Sequence, residues 1–372
     1  MNKHILYTIF SKKFYFIVFI LVCITNFTLP IMIKILGKAP DFKHNTKIIN
    51  SDNFSNGVFK NLEITEVLAE DAGFVKMMRE FLKKHKDRHP KSPIPTQKSD
   101  LKSDKEKQTI ITWFGHSSYL INFKGFRILV DPVMCGYASP FPQMIKAFKG
   151  SDVYDASEIE NIDLLIITHD HYDHLDYTTL LKLKGKIKQI CCSLGIASHL
   201  IYWGFSPEII HELDWWQSYA LENEMKITAA PARHFSGRSF KRAQTLWSSF
   251  IVEYKGQTIF IGGDSGYGDH FKKIGETFPK IDLALLECGQ YNEKWPLIHM
   301  LPEETVKAHI DLKAEVLMPV HWGKFALAYH PWNEPVQRVV EEAIFQKINY
   351  TTPHIGESFA LGDNLPVESW WQ

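Results

Sequence analysis

Apolar and polar positions divide the chain into regions of different texture. An uncharged twenty-residue run extends from Phe14 to Ile33 (FYFIVFILVCITNFTLPIMI), preceded by Lys12 and Lys13 and stopped by Lys34. At the helical rise it spans about 30 Å, the thickness of a bilayer core, and predicts an N-terminal transmembrane helix. Gly37-Lys38-Ala39 also has the small-x-small look of a signal cleavage site, but the long apolar run and Pro40 favour an uncleaved anchor. Lysines flank both ends, so the side of the membrane stays open. Residues 40–60 are polar and aperiodic and read as a tether. Val67, Phe74, Met77, Met78 and Phe81 share one face of a helix predicted over 64–86. The Pro-, Ser- and charge-rich stretch 88–107 reads as a linker. The expected organisation is 1–36 anchor (or signal), 37–107 tether, helix and linker, and 108–372 main domain, with the anchor dispensable for catalysis.

After Gln108 the pattern becomes one of short strands. Thr109–Phe114 is one, and Ser118–Phe123 with Phe126–Val130 forms a hairpin around Lys124-Gly125 that ends at Asp131. A similar phrase recurs: Phe250–Tyr254 and Thr258–Ile261 flank Lys255-Gly256, then run into Gly262-Gly263-Asp264. Two such hairpins suggest an internal duplication. The runs 163–167, 227–230, 281–286 and 316–320 are almost wholly apolar, as in strands buried on both faces. Helices are predicted between them over 178–183, 196–202, 303–312 and 334–346, with Pro302 at a helix start. Two similar halves of this kind predict an α/β fold of stacked sheets covered by helices.

Composition narrows the chemistry. The 372 residues carry 42 basic and 42 acidic side chains, so no nucleic-acid partner is expected. Seventeen His against five Cys exclude a disulfide scaffold and direct any metal site towards imidazole and carboxylate. Those groups concentrate in Thr168-His169-Asp170-His171-Tyr172-Asp173-His174-Leu175-Asp176, directly after an apolar strand. Six ionisable groups within eight residues are costly at the end of a buried strand without a compensating partner. So short a loop cannot wrap one ion, and it divides into two pairs: His169 with His171, and Asp173 with His174. Further candidates follow other strands: His234, Asp264 and His321. A carboxylate can give one oxygen to each of two ions, which suits Asp264 to a shared position.

The string HDHYDHLD with His234, Asp264 and His321 resembles the metallo-β-lactamase superfamily. Within it, Trp113-Phe114-Gly115-His116-Ser117-Ser118, Val130-Asp131-Pro132 and Val320–Ala328 (VHWGKFALA) look like the branch of N-acylphosphatidylethanolamine-hydrolysing phospholipase D. The resemblance covers roughly residues 109–361 and leaves the anchor and tether unmatched. It implies an αββα sandwich and two zinc ions, one held by His169, His171 and His234, the other by Asp173, His174 and His321, with Asp264 shared. Asp131 would steer a ligating His, although a strand-end turn before Pro132 accounts for it equally well. Tyr172 and His299 match positions that contact the lipid, and His299 also fits a surface position beside a helix. His116 reads as structural support. The resemblance also implies a phospholipid substrate and a homodimer.

A zinc pair lowers the pKa of bound water and stabilises charge developing on oxygen, so the constellation predicts hydrolysis, with Asp173 and Asp264 fixing the attacking water. A lactonase or β-lactam hydrolase would use the same pair. A di-iron redox module is the alternative of another class; imidazole at 171 argues for zinc. A scaffold with a dead site would lack a ligand, and none of the seven is missing. The apolar run and the resemblance favour phosphodiester cleavage in a membrane phospholipid.

Overall fold

The computed structural model describes residues 29–372, apart from 71, 74–76, 78, 81, 82, 84, 103–107, 223 and 240. Its body is two seven-stranded mixed sheets. The strands are β1 (Thr109–Trp113), β2 (Tyr119–Phe123), β3 (Phe126–Val130), β4 (Ile162–Ile167), β5 (Ile187–Ser193), β6 (Ile210–Leu213), β7 (Ser218–Ala220), β8 (Lys226–Ala230), β9 (Ser249–Tyr254), β10 (Gln257–Ile261), β11 (Ile281–Glu287), β12 (Ala314–Val320), β13 (Asn349–Tyr350) and β14 (Ser358–Ala360). One sheet runs β14-β1-β2-β3-β4-β5-β6 and the other β13-β12-β11-β10-β9-β8-β7. Each contains an antiparallel hairpin, β2–β3 or β9–β10, whose second strand continues into parallel partners. The turns Lys124-Gly125 and Lys255-Gly256 both place their two residues at positive φ, the conformation a tight two-residue hairpin requires. The duplicated phrase in the sequence is therefore a duplicated structural unit.

Why these segments pair is visible in β4. Leu164 and Ile166 join the cluster shared with the second sheet, including Ile227, Phe250 and Ile261. Leu165 and Ile167 face the other way, onto Leu180, Leu183 and Leu200. Alternation with both faces covered explains the unbroken apolar run, and each such side chain contributes about 1.5–3 kcal/mol by leaving water. Besides the single helical turn Thr46–Ile49, the helices are α1 (Leu29–Leu36), α2 (Tyr177–Leu183), α3 (Ala197–Tyr202), α4 (His270–Thr277), α5 (Pro302–Leu312) and α6 (Glu334–Gln346). Helix α5 packs on β11 and β12 and between α4 and α6. Its N-terminus shows Pro302 in the first turn and Glu304 Oε2 accepting from Leu301 N at 2.9 Å.

The N-terminal region departs from expectation. Residues 14–28 of the predicted span lie outside the described residues, and among the described residues no helix is long and apolar enough to cross a membrane. Helix α1 is the end of the apolar run, and it is docked: Trp203 Nε1 donates to Lys34 O at 2.7 Å, and Arg238 Nη2 to Ile35 O at 2.8 Å. Residues 61–70 contain no helix, so the helix expected from 64 does not begin there; Phe74, Met78 and Phe81 lie outside the described residues. The tether is not free either. Ile48 and Phe59 are buried beside Trp215 and Trp247, and Asn53 bonds Asp214. The segment read as a linker is strapped to the body, with Ile94 buried, its N–H on Lys149 O, and Gln97 N and Ser99 N bonded to Ile355 O and Gly356 O. Composition marked these segments as polar; backbone and Asn hydrogen bonds, which leave no hydrophobic period, hold them down.

Candidate metal centre

All strand ends that matter open at one end of the sandwich. Beyond β4, the loop carrying His169, His171, Asp173 and His174 turns back on itself through His174 N and Leu175 N, both donating to His171 O. Asp176 closes the loop by capping α2, accepting from Thr178 N and Thr179 N. His234 follows β8, Asp264 follows β10, and His321 follows β12. Gly262 and Gly263 let the chain past the neighbouring strands: a Cβ there would meet Leu285 O at 2.4 Å or Ser248 O at 2.7 Å. Asp131, His116 and His321 adopt positive φ without being glycine, local strain held by the surrounding fold.

The structure brings the seven predicted side chains together in two groups. In the first, His169 Nε2 lies 3.0 Å from His171 Nδ1, which lies 3.2 Å from His234 Nε2. Asp264 Oδ2 stands 3.6 Å from His169 Nε2 and 3.7 Å from His234 Nε2. A tetrahedral zinc with bonds of about 2.0–2.1 Å separates its ligand atoms by about 3.3–3.4 Å, so these four atoms have the spacing of a ligand shell. In the second, His174 Nε2 is 3.2 Å from Asp264 Oδ1 and 3.5 Å from Asp173 Oδ2, and His321 Nδ1 is 3.1 Å from Asp264 Oδ1. Asp264 thus turns one oxygen to each group. His174 Nε2 and Asp264 Oδ1, 3.2 Å apart, are buried without a hydrogen-bond partner, which suits lone pairs kept for a cation. The donor atoms cluster closely enough to hold metal, with His169, His171, His234 and Asp264 in one cluster and Asp173, His174, His321 and also His116 in another, and this composition of imidazole and carboxylate suits zinc.

Outer partners fix how each imidazole points. Asp131 Oδ2 accepts from His174 Nδ1 at 2.7 Å, and Oδ1 accepts from Thr168 N, leaving His174 Nε2 to face Asp264. His234 Nδ1 donates to Ile298 O at 2.8 Å, which leaves Nε2 for the first group. Asn61, just past the supposed tether, brackets His234 by accepting from its N–H and donating to its carbonyl. Ser117 Oγ lies 2.9 Å from His321 Nδ1. His116, expected as support, places Nε2 2.9 Å from Asp173 Oδ2, and its N–H and C=O pair with Trp322 O and His321 N.

Electrostatics follow from burial. It pushes His169, His234 and His321 well below the usual imidazole range, leaving them neutral and able to donate a lone pair. His174 goes the other way: against burial, the carboxylates of Asp264, Asp173 and Asp131 raise it. Asp173 and Asp264 stay well below the carboxylate range despite burial, because imidazoles crowd them.

Tyr172 and His299 lie beside the centre in different ways. The Tyr172 hydroxyl donates to Arg238 O at 2.6 Å, with the Arg238 guanidinium 4.2 Å above its ring. His299 stacks on His321 at 5.3 Å and meets His234 at 5.0 Å. Its Nδ1 is 3.2 Å from Glu287 Oε2, and burial pushes that carboxyl up to about 7. Sequence reasoning missed Glu287, Asn61, Ser117 and the buried Asp170–His199 pair at 3.3 Å. For Glu287 a signal existed: a carboxylate directly after the apolar run Leu283–Leu286. Of the aromatic residues, Trp203, Phe205, Trp215 and Trp322 are buried as core, whereas Phe235 sets its ring against His171 at 4.6 Å and His234 at 4.9 Å.

Comparison with known proteins identifies the family. Residues 126–322 match the family model described as the Beta-lactamase superfamily domain. The chain belongs to the metallo-β-lactamase superfamily and is a metal-dependent hydrolase. Among its relatives, an uncharacterized Mycobacterium tuberculosis protein is 36% identical over 327 residues, covering 87% of this chain and 88% of its own. The mitochondrial N-acyl-phosphatidylethanolamine-hydrolyzing phospholipase D of Saccharomyces cerevisiae is 34% identical over 241 residues, 61% of this chain and 50% of its own length. Igni18, a metallo hydrolase of Ignicoccus hospitalis, shares the fold with a TM-score of 0.53 at 20% identity, over 69% of this chain and all of that one.

Proposed function

We propose that this chain is a dizinc phosphodiesterase of phospholipase D type, which releases N-acylethanolamine from N-acylphosphatidylethanolamine or a related phospholipid at a membrane. The observation that carries the reading is Asp264, whose two oxygens face two donor sets of suitable spacing. His169, His171 and His234 would hold one ion, and Asp173, His174 and His321 the other. When bound, the pair supplies an activated water and charge stabilisation for hydrolysis. The chain's own residues do the rest. Asp131, Ile298 O and Thr168 aim the imidazoles before substrate arrives. Asp264 and Asp173 offer acceptors that orient the attacking water. Phe235 gives the centre an apolar wall, and Tyr172 and His299 would meet the substrate.

The substrate class is supported by the yeast relative's activity and by the apolar run at 14–33, which would keep the hydrolase domain, 108–372, beside its lipid. The same metals would serve a lactonase, so the test is a substrate panel. Purified full-length protein, its zinc measured, is given N-acylphosphatidylethanolamine, a lactone and a β-lactam, with products read by mass spectrometry. N-acylethanolamine and phosphatidic acid are expected. Turnover of the lactone or β-lactam with the phospholipid untouched would overturn the assignment.

A further inference from the structure

Glu287 is the last residue of β11, is almost fully buried, and ends the apolar run Leu283–Leu286. Every polar atom of its side chain is engaged. Oε1 accepts from Met300 N at 3.1 Å and from Ser265 N at 3.2 Å, while Oε2 lies 3.2 Å from His299 Nδ1. Those partners are not scattered. Ser265 follows Asp264, the carboxylate between the two donor sets, and Met300 follows His299. The main-chain carbonyl adds a third tie, accepting from Thr305 Oγ1 in α5 at 2.8 Å. One carboxylate therefore pins the two loops that bring Asp264 and His299 to the centre.

We propose that Glu287 is a positioning residue that selects the His299 tautomer and turns its Nε2 towards the substrate. An oxygen that takes the Nδ1 proton of His299 leaves Nε2 as the lone-pair nitrogen, and a ring already stacked on His321 has little freedom to turn over. Nε2 then offers an acceptor to an N–H or O–H donor of the substrate beside Asp264. The inference rests on the hydrolytic reading of the centre, but its structural half does not.

Glu287→Gln separates this role from scaffolding. An amide has the same shape, and its oxygen can keep the Ser265 and Met300 amides. Its NH2 then faces His299 Nδ1 and, being a donor, forces the ring proton to Nε2. Three readouts on full-length, zinc-loaded protein test this. Selective 15N-histidine NMR, with the His299 signals assigned by their loss in His299→Ala, should find Nδ1 protonated in the parent and Nε2 protonated in Glu287→Gln. Turnover of whichever panel substrate the parent hydrolyses should fall at least about tenfold in kcat for both variants, with the double variant no worse than His299→Ala alone. Zinc content should be unchanged. Parent-like kcat in Glu287→Gln, or an unaltered tautomer, overturns the proposal. If the parent hydrolyses nothing on the panel, the hydrolytic reading falls, and the NMR result still decides whether Glu287 sets the tautomer.

Discussion

The two halves of the sandwich present a carboxylate at the same place, one residue or three beyond the second strand of a hairpin, and use it differently. Asp131 follows β3 directly and stays behind the ligand loop, bonded to Thr168 and His174. Asp264 follows β10 after two glycines, and those extra residues carry it past the neighbouring strands to a point between both donor sets. The difference is reach. A carboxylate at the strand end buttresses, and one carried two residues further becomes part of the centre. The second half then needs a buttress of its own, and Glu287 at the end of β11 takes that position behind His299.

If reach decides role, substitution at the two carboxylates should separate by magnitude. Asp264→Asn removes a charged oxygen from both donor sets at once, and His171→Ala removes one imidazole from the first. Each should lose activity by well over the roughly 10–100-fold typical of supporting residues, with the protein still folded by circular dichroism. Metal analysis should show Asp264→Asn short of zinc. Full occupancy with parent-like turnover would erase the distinction between the halves.

Asp131→Asn should be milder, about 10–100-fold in zinc affinity or activity. Asn can still accept from Thr168 N but, like any amide, offers a donor or a neutral oxygen where His174 Nδ1 met a carboxylate. Chelator competition measures this directly, and an effect as large as that of Asp264→Asn would mean Asp131 is no mere support. His116→Ala comes next. It frees Asp173 Oδ2, on a proposed ligand, of its 2.9 Å partner and leaves all seven predicted ligands in the chain, so a loss of about tenfold or less is expected, at the lower edge of what such partners cost.

How far the sequence alone carried this picture depended on whether a feature has a period or a characteristic residue cluster. The strands at 126–130 and 281–287 and the helix at 334–346 were legible because burial on one or both faces writes a hydrophobic pattern. So was the ligand loop, since six ionisable groups after an apolar strand would be too costly to bury without cations to offset them. Helix α4 (HFKKIGET) escaped notice because it is short, carries Gly275 and starts without a side-chain cap. Strand β5 (IKQICCS) has too mixed a pattern to separate from its flanking loops. The largest misreading was residues 37–107. Asn61 holding His234, and Ile94 and Gln97 bonding the body, are contacts made by single residues between distant segments, and no local periodicity records them.

That misreading bears on the segment expected to be an anchor, which the sequence marks as separable from catalysis. Lys38 N donates to His199 Nδ1 at 3.1 Å, His199 Nε2 stands 3.3 Å from Asp170 Oδ2, and Asp170 lies between His169 and His171. Arg238 closes the circuit by donating to Ile35 O, Asp170 O and Leu175 O. Gly37 is where this contact is tightest: its φ is +74°, and a Cβ would stand 2.3 Å from His199 Nδ1. Gly37→Ala should therefore push the segment off His199, through both the clash and the left-handed backbone. The expected loss is about 1 kcal/mol or somewhat more, a drop of about 2–4 °C in Tm for a domain of this size. Activity should fall by less than in any variant above, because no proposed ligand moves unless Asp170 moves with it. An unchanged Tm would mean that residues 34–38 rest on the domain without supporting it, and that the N-terminal segment is separable after all.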